Sequence, residues 1–337
     1  MKILQNYNLS KLNTFGINAN AKFFVEVICE KDLIELFNLP EFKENKKMFL
    51  GGGSNVLFVK DFDGMVVLNK LKGIEIIKED SENVFVRAMG GELWCDLVIF
   101  AADYGYWGIE NLSFIPGTVG AAPVQNIGAY GVELKDVLLN VEAYEVEAGL
   151  KKILNNSECE FAYRDSIFKN KLKGKYFIFA VTLKLSKKEK KNVNYKILAD
   201  FLEKNKIEVK NPKDISDAVM FMRKSKLPDP KIIGNAGSFF KNVFIDRKQL
   251  QMLQETHPTM PFFEEVGIIK IPAGWLIEQC GWKGKKIGNV GMYENQALVL
   301  VNYGKATGEE IIKLANEIMR SVKEKFGLEL VPEVNIV

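Results

Sequence analysis

SFIPGTVGAAPVQNIGAYG, residues 113–131, carries neither a helical nor a two-residue apolar period, and the fold turns on what it is. Gly117, Gly120, Gly128 and Gly131 are interleaved with Ser113, Thr118, Gln125 and Asn126, over more residues than a turn needs. Loops longer than about 12 residues with no periodicity of their own are usually functional. Backbone donors beside neutral amides and hydroxyls suit a large polar cofactor, while Ile115, Val119 and Ile127 can pack inward. An ordered Ω-loop is the alternative. Upstream, the apolar runs KKMFL and VLFV enclose Gly51, Gly52, Gly53, Ser54 and Asn55. In such a loop successive N–H groups can converge on a diphosphate without Arg or Lys, although a plain bulged hairpin would read the same way.

Around these loops, residues 21–72 alternate strand and helix signals, and 74–186 are strand-rich with β-branched and aromatic runs between polar turns. One helix interrupts them in ELWCDLVIFAADYG, where Leu93, Leu97, Phe100, Ala101 and Tyr104 are expected on one face and Gly105 at its end. SKKEKKN reads as a solvated linker or hairpin tip. A helix with Ile215, Val219 and Met222 on one side follows Pro212 and stops at Leu227 and Pro228. Thr307 and Glu310 form a capping box for a helix whose Ile311, Leu314, Ala315, Ile318 and Val322 make a stripe closed by Gly327. A final strand, LELVPEVNIV, is expected after it.

The 337 residues exceed the usual limit for one core, so two or three packed units are expected. With 46 Lys and Arg against 43 Asp and Glu, the net charge of +3 is too small to gather nucleic acid or anionic lipid. Cys29, Cys95, Cys159 and Cys280 are scattered with no C-x-x-C pair, which removes zinc ribbons and thioredoxin-like sites and suggests reduced, mostly buried thiols. No apolar leader or membrane-spanning run is evident, so a cytoplasmic protein is expected. The one histidine, His257, precedes Pro258 in a helix-ending loop and is expected to be exposed. It excludes every two-imidazole site, and no metal site is expected.

Three residues stand out as candidates for catalysis. Arg164, in CEFAYRDSIF, has apolar and aromatic neighbours and needs Asp165 or a ligand as partner; a structural ion pair is the plainer reading. Ser238, in GNAGSFFKN, presents a hydroxyl from a flexible turn beside two phenylalanines. With no nearby histidine it suits a proton donor better than a nucleophile. Glu333 stands among apolar residues in VPEVNIV, where desolvation would raise its pKa unless it faces solvent from an edge strand. No G-x-G-x-x-G after a strand and no G-x-x-x-x-G-K-[ST] is present, so a Rossmann nicotinamide domain is not expected.

NTFG (13–16), GGGSNVLF (51–58), IPGTVGAAPVQNIGAYG (115–131), FAYRDSIFK (161–169), KLPDPK (226–231), GNAGSFFKN (234–242), AGWLIEQCGWKG (273–284) and PEV (332–334) together resemble the UDP-N-acetylenolpyruvoylglucosamine reductase family in order and spacing. The resemblance implies an α+β FAD-binding PCMH-type fold, like that of vanillyl-alcohol oxidase, with two subdomains at 1–72 and 73–225 and the PCMH-type region at about 16–187. It also implies a separate α+β substrate-binding domain at 226–327, with the strand 328–337 returning to the first subdomain. The implied activity is NADPH-dependent reduction of the enolpyruvyl ether of a UDP-sugar to UDP-N-acetylmuramate, a peptidoglycan precursor, through non-covalently bound FAD.

By the same resemblance Gly51, Gly52, Gly53, Ser54, Asn55, Ser113, Pro116, Gly117, Thr118, Gly120, Ala121, Gln125, Asn126, Gly128 and Ala129 fall on FAD-binding positions. Arg164, Ser238 and Glu333 fall on catalytic ones, Ser238 as proton donor. Tyr195, Lys226, Asn242 and Gln296 fall on positions around the UDP diphosphate. NVNYKILADF looks like the family's long form, in which a tyrosine-bearing loop covers the substrate. Val243 departs from the proline expected after SFFKN. Another FAD oxidoreductase of the same fold is the enzyme alternative; many of those attach flavin through histidine or cysteine, which these loops lack. A flavin-free binding protein that kept the fold is the non-enzyme alternative. A monomer is expected, with no nucleic-acid or membrane partner.

Overall fold

A computed structural model describes residues 1–265 and 267–337. The chain separates into two compact units that interleave in sequence: residues 1–7, 21–53 and 62–225 form one, and 8–20, 54–61 and 226–337 the other.

The first unit holds two sheets. Strands Leu4–Asn8, Asn20–Val27, Phe62–Asn69 and Lys46–Leu50 lie side by side in that order, with Phe62–Asn69 parallel to both of its neighbours. Parallel neighbours need a crossover, and helices Glu30–Asn38 and Pro40–Glu44 are placed in sequence to make it. Phe62–Asn69 is buried over its last six residues, as the continuous apolar run GMVVL requires of a strand covered on both faces. The second sheet is antiparallel, in the order Leu150–Asn155, Leu138–Glu145, Tyr176–Ser186, Asn83–Met89, Ile74–Glu79. Asn83–Met89 alternates buried and half-buried residues, the period of a strand with one face on the core.

Helix Trp94–Asp103 ends at Tyr104, with Gly105 left-handed at φ 73° behind it. Its inward face differs from the expected one. Trp94, Leu97, Val98, Ala101 and Ala102 are buried, while Leu93 and Tyr104 are exposed. Trp94 decides the rotation, because its indole fills the core and donates from Nε1 to the Leu112 carbonyl at 3.0 Å. Helices Lys196–Lys204 and Pro212–Lys226 share a smaller core of Trp107, Leu198, Leu202, Ile215, Val219 and Met222, with Tyr130 and Tyr195 packed against it.

In the second unit an antiparallel sheet runs Gly234–Ser238, Val299–Asn302, Val290–Met292, Lys286–Ile287, and a three-stranded sheet runs Val243–Ile245, Ile268–Ile271, Phe263–Glu265. Helix Gly308–Phe326 has the expected capping box, with Glu310 N donating to Thr307 Oγ1 at 3.2 Å and Thr307 N to Glu310 Oε2 at 2.7 Å. Ile311, Leu314, Ala315, Ile318 and Val322 are buried along its length and Gly327 closes it at φ 66°.

Two expectations fail here. LELVPEVNIV is a strand only at Asn335–Ile336, parallel to Val56–Leu57. Its earlier backbone groups are taken by Phe239 and Lys241: Lys241 N donates to Val331 O and Glu333 N to Phe239 O. His257 is half-buried rather than exposed, because its ring packs on Phe326 at 4.7 Å and near Trp275 at 6.4 Å.

Gly308 marks the tightest packing at this helix start. A Cβ there would collide with the Phe58 carbonyl oxygen and come within 2.7 Å of Val59 Cα. Gly308→Ala should therefore cost roughly 1–3 kcal/mol, as overpacking does, read from a lower denaturant midpoint at unchanged slope.

Candidate active site

In the first unit the two glycine-rich segments stand back to back. A Cβ on Gly51 would collide with Thr118 Oγ1, and one on Gly52 would lie 3.1 Å from Gly117 Cα. The 113–131 segment is not an open Ω-loop. Val119–Gln125 winds as a 3-10 turn, and Phe114, Gly117, Asn126, Tyr130 and Gly131 all take positive φ. Its backbone is bolted to the sheet ends: Trp94 N donates to Gly117 O, Val119 N to Glu92 O and Gly120 N to Gly90 O. Thr118 Oγ1 is buried without a partner among the described residues. A hydroxyl so placed costs desolvation unless a ligand meets it.

Not every polar side chain of this segment is available to a ligand. Ser113 Oγ donates to Glu110 O at 2.7 Å and lies 2.8 Å from Ser216 Oγ. Asn126, fully buried, donates to Glu133 Oε2 and Ala162 O and accepts from Lys135 N. These two side chains build the loop. Gly128 lies under Arg164, where a Cβ would meet Nη1 at 2.9 Å.

Arg164 sits at the tip of a tight turn, Ala162–Asp165, with φ 52°. A left-handed arginine is uncommon and stores strain that its surroundings must hold. Its Nη2 donates to Gly128 O at 2.5 Å and its Nη1 lies 3.6 Å from Glu133 Oε1. Glu133 is thus an ion-pair partner that the sequence reading did not offer, and the Asp165 carboxylate receives Asn170 Nδ2 and Ser166 N. Tyr195 precedes helix Lys196–Lys204 and meets Tyr130 edge to face at 5.7 Å.

A second guanidinium escaped the sequence reading. Arg223, on helix Pro212–Lys226, donates from Nε to Phe114 O at 3.1 Å. Burial pushes its pKa down; Tyr130 and Cys95 oppose that shift and Arg164 adds to it. Burial likewise pushes Tyr130 and the Cys95 thiol up. The signal was present in the helix period, since Arg223 stands one residue beyond the buried Met222, at the edge of the apolar face.

In the second unit Ser238 closes the strand Gly234–Ser238 opposite Val299 rather than sitting in a flexible turn. Asn235 fixes the approach: its Oδ1 accepts from Gly237 N at 3.0 Å, and its Nδ2 donates to Pro228 O and Ile233 O. Phe239 N donates to Leu298 O and Phe239 O accepts from Glu333 N, so the Ser238, Gln296 and Glu333 segments are neighbours. Asn242 Oδ1 accepts from Ala273 N at 3.1 Å, at the start of helix Ala273–Gln279, and Gln296 Oε1 accepts from Leu298 N at 3.3 Å. Lys226 is exposed at the end of its helix, and Asn55 Nδ2 donates to Glu333 O at 3.4 Å. Among the described residues no cluster could hold a metal ion and no helix is long and apolar enough to cross a membrane. Cys159 is buried, Cys95 and Cys280 are half-buried and Cys29 is exposed.

The reductase of Flavobacterium johnsoniae is 47% identical over 339 residues, and that of Amoebophilus asiaticus 48% over 338, each spanning 100% of both chains. This chain belongs to the UDP-N-acetylenolpyruvoylglucosamine reductase family. Residues 229–337 match the family described as UDP-N-acetylenolpyruvoylglucosamine reductase, C-terminal domain, and residues 21–150 match FAD binding domain. A crystal structure of the reductase from Thermus caldophilus has the same fold, with a TM-score of 0.65 at 24% identity over 99% of this chain and 98% of that one. The α+β FAD-binding architecture with a separate C-terminal part is the one the sequence resemblance implied.

The glycine cradle fits FAD: two side-chain-free backbones lie against each other, with one buried hydroxyl awaiting a partner. Thr118→Val keeps the shape and removes that hydroxyl. The flavin-free protein should be unchanged or more stable by up to about 1 kcal/mol, whereas FAD affinity should fall roughly three- to tenfold by fluorescence titration. Equal affinity would show that the hydroxyl does not meet the cofactor.

Proposed function

We propose that this chain catalyses the NADPH-dependent, FAD-mediated reduction of UDP-N-acetylglucosamine enolpyruvate to UDP-N-acetylmuramate. The observation that carries the reading is end-to-end identity of 47–48% to curated reductases, in a chain that has the glycine cradle and carries Arg164, Ser238 and Glu333. FAD bound in the glycine cradle would supply the redox chemistry, as a hydride carrier between NADPH and the enolpyruvyl double bond.

The chain's own residues manage charge and one proton. As hydride reaches the terminal carbon, negative charge builds on the substrate carboxylate, conjugated to the double bond. Arg164 stabilises that charge where it develops, with Glu333 helping in its protonated, hydrogen-bond-donating form, and guanidinium–carboxylate pairing is among the stronger hydrogen-bonded contacts available. Ser238 delivers the proton to the adjacent carbon, completing addition of one hydride and one proton across the bond. A serine suffices because the enolate-like group is a strong base. The backbones of Gly51, Gly52 and Gly53, with those of Gly117 and Thr118, hold the FAD diphosphate, while Gly120 and Ala121, whose N–H groups are already given to Gly90 O and Thr118 O, shape the cradle. Tyr195, Lys226, Asn242 and Gln296 receive the UDP-sugar, the last three from the 226–327 region, with Lys226 as a compact positive charge. The Glu133 carboxylate near Arg164 keeps the guanidinium from swinging away. As part of the same reading the enzyme works in the cytoplasm as a monomer.

Ser238→Ala separates the two half-reactions in rapid-mixing absorbance at the flavin band. Reduction by NADPH should persist, whereas reoxidation by the enolpyruvyl substrate should slow by about a hundredfold or more, the usual size of a lost general acid. Equal slowing of both halves would remove the proton-donor role.

A further inference from the structure

Asn111 lies in the short turn Glu110–Leu112 and is wholly buried. Its Nδ2 donates to two carbonyls, Tyr130 O and Asn192 O, both at 2.9 Å. Its Oδ1 has no partner among the described residues. The amide orientation is therefore forced, since the flipped form would set its oxygen against two carbonyl oxygens and leave both unmet.

The two acceptors belong to stretches far apart in sequence. Tyr130 closes the glycine-rich segment in a left-handed conformation, φ 48°, and Asn192 ends the lysine run three residues before Tyr195. A return bond runs from Asn192 Nδ2 to Gly131 O at 3.3 Å. Val193, Tyr195 and Tyr130 then pack against the small core around Trp107 and Leu198. By contrast, the lysine run itself is exposed and is held by surface ion pairs, Lys187 with Glu79 and Lys188 with Glu82. Exposed pairs of that kind add little. What fixes the approach to Tyr195 is the buried amide.

We propose that Asn111 is a positioning residue: it sets the Tyr195 segment in register with the flavin loop, so one buried amide couples the stretch that receives the UDP-sugar to the stretch that holds FAD. This rests on the reading of Tyr195 as a substrate residue. Without the amide, two buried carbonyls lose their donor at once, and the segment from Asn192 to Tyr195 is released before the loop is, because Tyr130 stays anchored through the rest of its segment.

The test uses the FAD-loaded enzyme and three variants: Asn111→Ala, Asn111→Asp, which keeps the shape but replaces the donor with an acceptor, and Tyr195→Phe. Amide hydrogen exchange across residues 190–198 should be about tenfold faster in both Asn111 variants, with residues 138–145 unchanged. In steady state, KM for the UDP-sugar should rise about tenfold while kcat at saturating sugar stays within about threefold. Exchange that is unchanged at 190–198, or a loss carried by kcat with KM constant, would overturn the proposal. If neither Asn111 variant folds, Asn192→Ala decides: it removes the return bond to Gly131 O and the Asn194 N contact to Asn192 Oδ1 but keeps both Asn111 bonds, so exchange across 190–198 should stay within about threefold, and a rise of about tenfold there would assign the tether to the Asn192 side chain and overturn the proposal. Tyr195→Phe separates the two ideas. An unchanged KM in that variant, with fast exchange in the Asn111 variants, would defeat the substrate reading and leave the tether standing; a raised KM with normal exchange in the Asn111 variants would defeat the tether alone.

Discussion

Two backbones meet at Gly52 and Gly117 with no room for a side chain between them, and this close approach governs the first unit. Gly117 is held because its carbonyl accepts from Trp94 N, and Trp94 is itself locked in the core. Gly120 N binds Gly90 O, and Gly90 N binds Phe179 O, so the loop is continuous with the strand Tyr176–Ser186. A Cβ at Gly120 would lie 3.0 Å from the Gly90 oxygen, so the contact is steric as well as hydrogen-bonded. The result is a slab of backbone fastened by its own hydrogen bonds, with a shape that does not depend on a ligand being present to organise it.

Elsewhere the molecule uses neutral amides to fasten its loops. Asn13 donates to Leu9 O and Ile17 O while accepting from Ile17 N; Asn302 donates to Phe15 O and accepts from Gly304 N and Ala306 N; Asn126 and Asn235 do the same for their own segments. An amide offers donors and acceptors at once and carries no charge to desolvate. The charged fastener Arg87 is itself largely buried and is neutralised by two carboxylates, buried Glu142 and exposed Glu75. In a chain with one histidine, these loop fastenings do not change with pH near neutrality.

The glycine loops were legible because glycine at that density serves few purposes, and the helix at 308–326 because cap, stripe and stop agree. Ser238 and Glu333 were legible as motif members, but their adjacency through Phe239 was not, since it depends on hydrogen bonds linking residues about 94 apart. The inward face of Trp94–Asp103 was misjudged because periodicity weighs apolar residues alike, whereas one indole outweighs two smaller contacts. For Arg164 the sequence offered Asp165 or a ligand as partner; Glu133, 31 residues upstream, could not be read from it, since a left-handed backbone at Arg164 and a tight turn bring the two together. Asn111 gave no signal at all, because an asparagine beside a glutamate reads as surface until two distant carbonyls are brought to it.

The interleaving of the two units bears on how the chain is made. Residues 8–20 and 54–61 leave the ribosome early, yet they belong with residues 226–337. Val56 and Leu57 wait for Asn335 and Ile336, and Asn55 for Glu333, 278 residues later. Domains generally fold as units during synthesis, the N-terminal one first, but here the second unit can close only after residues 335 and 336 have been made. Until then Phe15 and Phe58, both fully buried in the finished fold, lack their later neighbours Gly234, Phe239 and Gly308. An early segment with two large aromatics and a late partner is the stretch where nascent-chain aggregation would begin, and it gives synthesis rate a hold on the yield of folded protein.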